Sequence, residues 1–349
     1  MDALYIDGSA GEGGGQVLRS SLTLSMATGI PFRIDGIRAG RKKPGLMRQH
    51  LTAVQSAARL SSAEVVGAEL GATSVEFRPR GVTPGTYEFS VGTAGSTSLV
   101  LQTLLVPLCL ADGPSRLTLR GGTHNPWAPP FDYLAKCFRP IARRLGLRFQ
   151  LELVRYGFFP AGGGEIRVSV EPADDLRPLR LTERGAPGRH SGQILLANLS
   201  ERIGESERKT LARRMGWDPE RIAIETVEGS AGPGNLMNVT LDYANVTEIV
   251  TAFGERGLPA KRVATDVSDQ ARQFLGSQAA VGVHLADQLM LPLALCKGGE
   301  YTTLRPSRHA RTNAEIINLF LGEGTVEIRE EGDAYRVEVR GRSRLVTAS

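Results

Sequence analysis

Three stretches of this chain share one pattern, and that repetition limits what it can fold into. GGGQVLRSSLTLSMATG leads into PFRIDGIR, STSLVLQTLLVPLCLADG into SRLTLRGG, and AAVGVHLADQLMLPLALCKGG into EYTTLRPS. Each reads as an apolar helix, a glycine turn and a strand. Gly29 and Gly113 mark the first two turns and lie 84 residues apart, whereas Gly113 and Gly299 lie 186 apart. Roughly a hundred additional residues therefore separate the second copy from the third.

The correspondence continues past each turn. Copy one proceeds to an amphipathic helix, GLMRQHLTAVQSAARL, and strands AEVVGAEL and TSVEFRPR; copy two to FDYLAKCFRPIARRLG, RFQLELVRYG and GEIRVSVEP; copy three to AEIINLFLG, TVEIREEG and YRVEVRG. With a strand ahead of the first helix, as LYID provides, each unit reads β-α-β-α-β-β. The expected fold class is α/β (α+β). A large domain of three such units would span residues 1–183 and 278–341, and a tail 342–349. A smaller α/β domain, residues 184–277, would be inserted before the third repeat. It reads as strand QILLANL, helix ESERKTLARRM, strand IAIETVE, turn GSAGPGN, strand LMNVTLDY and helix AKRVATDVSDQARQFLG, bounded by Gly185, Pro187 and Gly188 and by Gly276. Whether sheets or helices face inward stays open.

At 349 residues, 41% hydrophobic and 23% charged, the chain has the make-up of a globular protein large enough for two domains. No apolar run is long enough for a bilayer, and MDALYIDGSAGEGGG lacks both a basic flank and an apolar core, so a cytoplasmic protein without a membrane is expected. Cys109, Cys137 and Cys296 are widely spaced with no CxxC pair, which suits a reduced compartment and favours neither zinc nor a thiol nucleophile. The formal charge is +5, yet Arg38, Arg41, Lys42, Lys43 and Arg48 fall together with no acid among them. That stretch suits an anionic partner, with a solvated loop as the plainer alternative.

The stretch from His284 to Asn313 carries the most chemistry. His284, Asp287 and Gln288 have the i, i+3, i+4 spacing of one helical face, polar within an apolar segment and therefore suited to line a pocket. Gln102 stands as far before its glycine turn as Gln288 does before its own, and an amide in an apolar helix needs a partner. His309 has Arg305, Arg308 and Arg311 within four residues. Positive neighbours favour the neutral imidazole, and guanidinium groups compensate phosphate oxygens during attack on phosphorus; a solvated histidine in a basic loop is the bland reading. Gly11-Glu12-Gly13-Gly14-Gly15 follows a strand and opens a helix without being a Walker loop or GxGxxG, so it suits either a phosphate or a tight turn, with Glu12 able to hold a divalent cation. In Gly121 to Tyr133, Trp127, Pro129, Pro130 and Tyr133 suit base stacking or simple packing, and His124 reads as structural.

Taken together, GEGGGQ at 11–16, RAGRKKPGLMRQH at 38–50, TAGST at 93–97, GFFPAGGG at 157–164, LADQ at 285–288 and His309 closely resemble the RNA 3′-terminal phosphate cyclases, in order and over nearly the whole chain. The resemblance implies an ATP-dependent enzyme that converts an RNA 3′-phosphate into a 2′,3′-cyclic phosphate through a histidine-AMP intermediate and an RNA-adenylate. It implies His309 as the nucleophile. ATP would be bound by Gln102, Pro130 and the segment His284, Leu285, Ala286, Asp287 and Gln288, and Glu12 would hold Mg²⁺ or Mn²⁺. Arg19, Arg38, Arg41, Gln49 and His50 would contact phosphate or RNA. The implied partners are ATP and RNA with a 3′-phosphate end, and a homodimer is left open. His284 stands where the family frequently has tyrosine, and Tyr156 where a basic residue often precedes GF. A branch of the family that acts in ribosome assembly lacks the nucleophilic histidine, which this chain has.

Overall fold

A computed structural model describes residues 2–12, 14–92 and 94–342. Gly13 and Thr93, within two of the motifs, and residues 343–349 of the expected tail lie outside the described residues. The first unit runs β1 (Leu4–Asp7), α1 (Gly15–Thr28), β2 (Phe32–Asp35), α2 (Arg48–Ser61), β3 (Glu64–Val66) and β4 (Val75–Arg78). The second runs β5 (Thr86–Ser90), α3 (Thr97–Cys109), β6 (Ser115–Gly121), α4 (Phe131–Tyr133), a π-helical turn (Leu134–Phe138), α5 (Arg139–Arg144), β7 (Arg148–Arg155) and β8 (Gly164–Glu171). β9 (Leu179–Leu181) then opens the third unit. An excursion follows through β10 (Pro187–Ala197), α6 (Glu201–Met215), β11 (Ile222–Val227), β12 (Gly234–Tyr243), β13 (Thr247–Phe253) and α7 (Ala260–Leu275). The third unit resumes with α8 (Val283–Leu295), β14 (Gly298–Thr303), α9 (Arg308–Leu321), β15 (Val326–Glu331) and β16 (Ala334–Arg340).

The three units are topologically the same. Their sheets have the orders β1-β2-β4-β3, β5-β6-β8-β7 and β9-β14-β16-β15. In each, the first two strands pair in parallel and the others antiparallel. β9 pairs with β14 through Gly299↔Leu179 and Tyr301↔Leu181. The excursion therefore enters one strand into the third unit, after β9. LRL is too short to show an alternation in the sequence, which is why the unit's opening strand is hard to see there.

The helices face inward and the sheets outward. α1 packs on α2, α3, α8 and α9, and the strands alternate buried with exposed residues, as in β2 (Phe32 and Ile34 in, Arg33 out). α1, α3 and α8 are buried on nearly all sides, and their apolar sequences reflect this. Hydroxyls inside that packing return to backbone: Ser21 Oγ donates to Val17 O at 2.7 Å, and Thr23 Oγ1 lies 3.0 Å from Thr103 O on α3.

The fourth sheet, β11-β10-β12-β13, carries α6 and α7 on one face over Leu196, Leu211, Met237, Val239, Val263 and Phe274. The sequence reading of the insertion omits β13, which follows β12 after only the three residues Ala244, Asn245 and Val246. The other face, with Leu195, Ala197, Val227 and Leu236, meets Phe158 of the GFFPAGGG motif. Where the chain enters and leaves the excursion, Arg184 donates to the carbonyls of Phe274 (2.6 Å), Ser277 (2.8 Å) and Ala279 (2.5 Å), with its guanidinium 3.9 Å from the Phe274 ring centre. Among the described residues no helix is long and apolar enough to cross a membrane. The three cysteines are free and buried.

Candidate active site

The site lies where α1, α3, α8 and α9 meet, and each contributes polar residues to it. An open cleft of about 540 Å³, mouth included, is lined by Gln16, Arg19, Gln102, Asp287, Gln288 and Asn313, with Phe138 on its apolar side. Asp287 Oδ1 and Gln288 Oε1 are buried, with no hydrogen-bond partner among the described residues. Buried acceptors left unpaired are costly, and a bound molecule carrying N–H or O–H donors relieves that cost.

A chain of hydrogen bonds ties the helices together. Arg19 Nη2 donates to Gln16 Oε1 (2.7 Å), Gln16 Nε2 to Ser20 Oγ (3.2 Å), Ser20 Oγ to Asn313 Oδ1 (2.7 Å), and Asn313 Nδ2 to the Asp287 carbonyl (3.0 Å). The network fixes α8 and α9 against α1. It also fixes His309, which occupies the first turn of α9 behind the cap formed by Ser307 Oγ and the Ala310 N–H (3.1 Å).

The glycine loop closes the other side. Gly11 has φ +63°, and a Cβ there would overlap Thr312 Oγ1, which accepts the Glu12 N–H at 3.1 Å. Glu12 is thereby held beside α9. Its Oε1 pairs with Arg41, while Oε2 is 3.2 Å from His309 Nδ1 and has no hydrogen bond of its own among the described residues. Gly15 is needed for a second reason: a Cβ would overlap His50 Nε2 and stand 2.9 Å from Arg19 Nη1.

Charge follows this geometry. Partial burial lowers the pKa of the half-exposed His309, Asp287 opposes the shift, and Arg19 and Arg41 add to it. The arginines that act are thus brought from α1 and the 38–43 loop, not Arg305, Arg308 and Arg311 as sequence proximity suggests. Those three point to solvent at the start of a helix whose N-terminal dipole also disfavours an imidazolium. Burial brings Arg19 down to about 10, with Asp287 opposing, and burial likewise raises Asp287. His50 is pushed to about 3 by burial first and then by Arg19 and Arg38.

The structure brings together Glu12, Arg19, Arg41, His50, Gln102, Asp287, Gln288 and His309. It places others at the margin. Arg38 donates to the carbonyls of Lys43 (2.6 Å) and Gly45 (3.0 Å) and so braces its own loop, at φ +55°. Gln49 Oε1 accepts the Ser96 N–H at 3.2 Å. Leu285 and Ala286 are wholly buried, and Ala286 O accepts from Tyr301 (2.5 Å), so neither side chain faces the cleft. Pro130 precedes α4 outside the cleft lining, and His284 is exposed, one turn before Asp287. Sequence reasoning passed over Gln16, Ser20, Phe138, Thr312 and Asn313. The signal for Ser20 and Asn313 was polarity on helix faces that are otherwise apolar.

Among the described residues no three His, Cys, Asp or Glu side chains cluster as a metal site. A Mg²⁺ ion carried by a triphosphate needs only one or two protein carboxylates, and the unpartnered Oε2 of Glu12 fits that requirement.

Fold and site together define a class: three-unit α/β proteins with a histidine beside a carboxylate at the mouth of a polar cleft. Residues 10–326 match the family described as RNA 3′-terminal phosphate cyclase. A protein of that name from Koribacter versatilis (strain Ellin345) is 50% identical, with 99% of this chain and 97% of that one covered. Its namesakes from Ralstonia nicotianae (strain ATCC BAA-1114 / GMI1000) and Ectopseudomonas mendocina (strain ymp) are 48% and 44% identical, covering 96% and 97% of this chain and 97% and 98% of theirs. Among solved structures, the enolpyruvyl transferase NikO from Streptomyces tendae aligns over 99% of this chain and 50% of that one at 11% identity and a TM-score of 0.40, a likeness too low to weigh. The chain belongs to the RNA 3′-terminal phosphate cyclase family, a family of enzymes.

Proposed function

We propose that the chain uses ATP to close an RNA 3′-phosphate into a 2′,3′-cyclic phosphate, with His309 as the covalent carrier of AMP. The imidazole attacks the α-phosphorus, the bond to the bridging oxygen breaks, and pyrophosphate leaves. An oxygen of the RNA 3′-phosphate then displaces the imidazole, taking the adenylyl group. The neighbouring 2′-hydroxyl attacks the activated phosphorus, loses its proton, and releases AMP.

One observation carries this reading: among the described residues, buried acceptors without hydrogen bonds stand on both sides of the site, Glu12 Oε2 at 3.2 Å from His309 Nδ1 and Asp287 Oδ1 and Gln288 Oε1 in the cleft, beside a histidine whose pKa is lowered by burial. Ribose hydroxyls and the adenine amino group are donors that suit Asp287 and Gln288, with Gln102 and Phe138 across the cleft. Arg19 and Arg41 suit the phosphates, and His50 stays neutral behind them. Glu12, close to Nδ1, sets the ring so that Nε2 is the attacking atom. Mg²⁺ or Mn²⁺ on Glu12 would neutralise charge on phosphate oxygens when bound. Arg38 and Gln49 act through the loops they brace, Pro130 and His284 flank the nucleotide, and Leu285 and Ala286 carry the α8 backbone that presents Asp287.

Incubation with ATP labelled at the α-phosphate and Mg²⁺ or Mn²⁺ should label the protein through an acid-labile bond. His309→Ala should abolish the label, and Glu12→Gln should weaken it and blunt its metal dependence. Undiminished labelling of His309→Ala would remove that residue from the chemistry.

A further inference from the structure

We infer that Trp127, with Phe159 on the adjoining loop, is a stacking subsite for bases upstream of the RNA 3′ end; this rests on the reading that RNA is the substrate. Trp127 is 86% exposed and Phe159 54%. Their loops adjoin, because the Thr123 and His124 N–H groups donate to Gly157 O at 2.8 and 3.0 Å and His124 bridges to Phe158. Trp127 also has φ +62°, a left-handed conformation that a bulky side chain rarely adopts. A strained backbone holding a large apolar ring in water gains nothing for the fold, and such strain is characteristic of binding positions.

The loop around the ring is stiff. Thr123 Oγ1 is 2.8 Å from His124 Nδ1, His124 Nε2 is 3.1 Å from Asp132 Oδ2, Asn125 Nδ2 donates to Ala94 O, and Pro126, Pro129 and Pro130 restrict the chain. A ring already held in place loses little freedom when a base stacks on it. Beside it, Asn125 is only 7% exposed and its Oδ1 has no partner among the described residues, an acceptor suited to a 2′-hydroxyl or a base N–H.

Charge and connection argue for RNA as the occupant. Asn125 joins the Trp127 loop to Ala94, Gln49 joins the nearby Ser96 to the start of α2, and His50 on the same turn touches the glycine loop. Along this path the exposed Arg48 has no acidic partner among the described residues. Lys42, Lys43, Arg305, Arg308 and Arg311, all exposed near the site, are in the same state. A single-stranded polyanion whose end reaches His309 is the ligand that uses both the free cations and the displayed rings.

Trp127→Gly tests the ring without threatening the fold, since glycine adopts this φ freely. Binding of a labelled 3′-phosphorylated oligoribonucleotide, read by fluorescence anisotropy, should weaken roughly 5- to 150-fold. Labelling of His309 from ATP alone should not change, and Trp127→Phe should recover most of the affinity. Phe159→Ala should weaken binding in the same direction. Unaltered affinity in Trp127→Gly overturns the inference, as does a shift in oligomeric state with RNA affinity preserved, which would make the ring a contact between chains. If the wild type takes no label while Trp127→Gly still loses affinity, the reaction is misread and the subsite stands.

Discussion

Lowering the pH from 7 to 5 tests the burial of His50. Its side chain is 7% exposed, Nδ1 accepts the Met47 N–H at 3.3 Å, and Nε2 faces Gly15 beside Arg19. Burial, then Arg19 and Arg38, hold its pKa at about 3, against the ordinary value of 6.5 that the unfolded chain restores. The folded protein therefore binds fewer protons than the unfolded one throughout that window. The stability contributed by a neutral His50 is complete above 6.5 and lost as pH falls toward 3. Linkage gives a loss of about 2 kcal/mol between pH 7 and pH 5. His50→Gln keeps an acceptor and takes up no proton. Urea unfolding of both proteins at the two pH values should show wild type losing about 2 kcal/mol more than the variant. NMR of the folded protein should find the His50 ring neutral at pH 5. Equal losses in the two proteins, or a ring titrating near 6.5 in the folded state, would refute the assignment.

Two further substitutions probe the scaffold. Asn313→Ala leaves the Ser20 hydroxyl and the Asp287 carbonyl without their bonds of 2.7 and 3.0 Å, and is expected to cost about 1–3 kcal/mol in a melting experiment. It should also slow His309 labelling; a variant as stable and as active as wild type would show the network to be idle. Arg184→Met removes the donors that clamp Phe274, Ser277 and Ala279 and the stacked guanidinium. A loss of about 2–4 kcal/mol, read in urea, is expected, and an unchanged midpoint would contradict the role of the clamp.

The units were legible because glycine turns recur after apolar helices, and a helix buried on all sides announces itself as a continuous apolar run. Gln102 and Gln288 stood out for the same reason, as amides with no partner in view, and both line the cleft. Less visible was anything that depends on which helices meet. Arg305, Arg308 and Arg311 are close to His309 in sequence, yet burial is what chiefly lowers its pKa, and the arginines that add to the shift are Arg19 and Arg41, because the α1 and 38–43 segments fold beside α9. Leu285 and Ala286 share a motif with Asp287, but 3.6 residues per turn sends them to the core while Asp287 faces the cleft. β9, three residues long, carries no period to read, and only its pairing with β14 identifies it.

That pairing has a consequence for how the fourth sheet is joined to its host. Thr302 of β14 receives both ends of the excursion: its Oγ1 donates to Thr182 O at 3.1 Å, and its carbonyl accepts the Ala280 and Val281 N–H groups at 3.1 and 3.0 Å. The departing and returning strands thus share one anchorage, like two wires in a single socket. The loop they close leaves the β9-β14-β16-β15 ladder unbroken on either side of it, and the excursion returns Val246 and Ile249 to the host's own core.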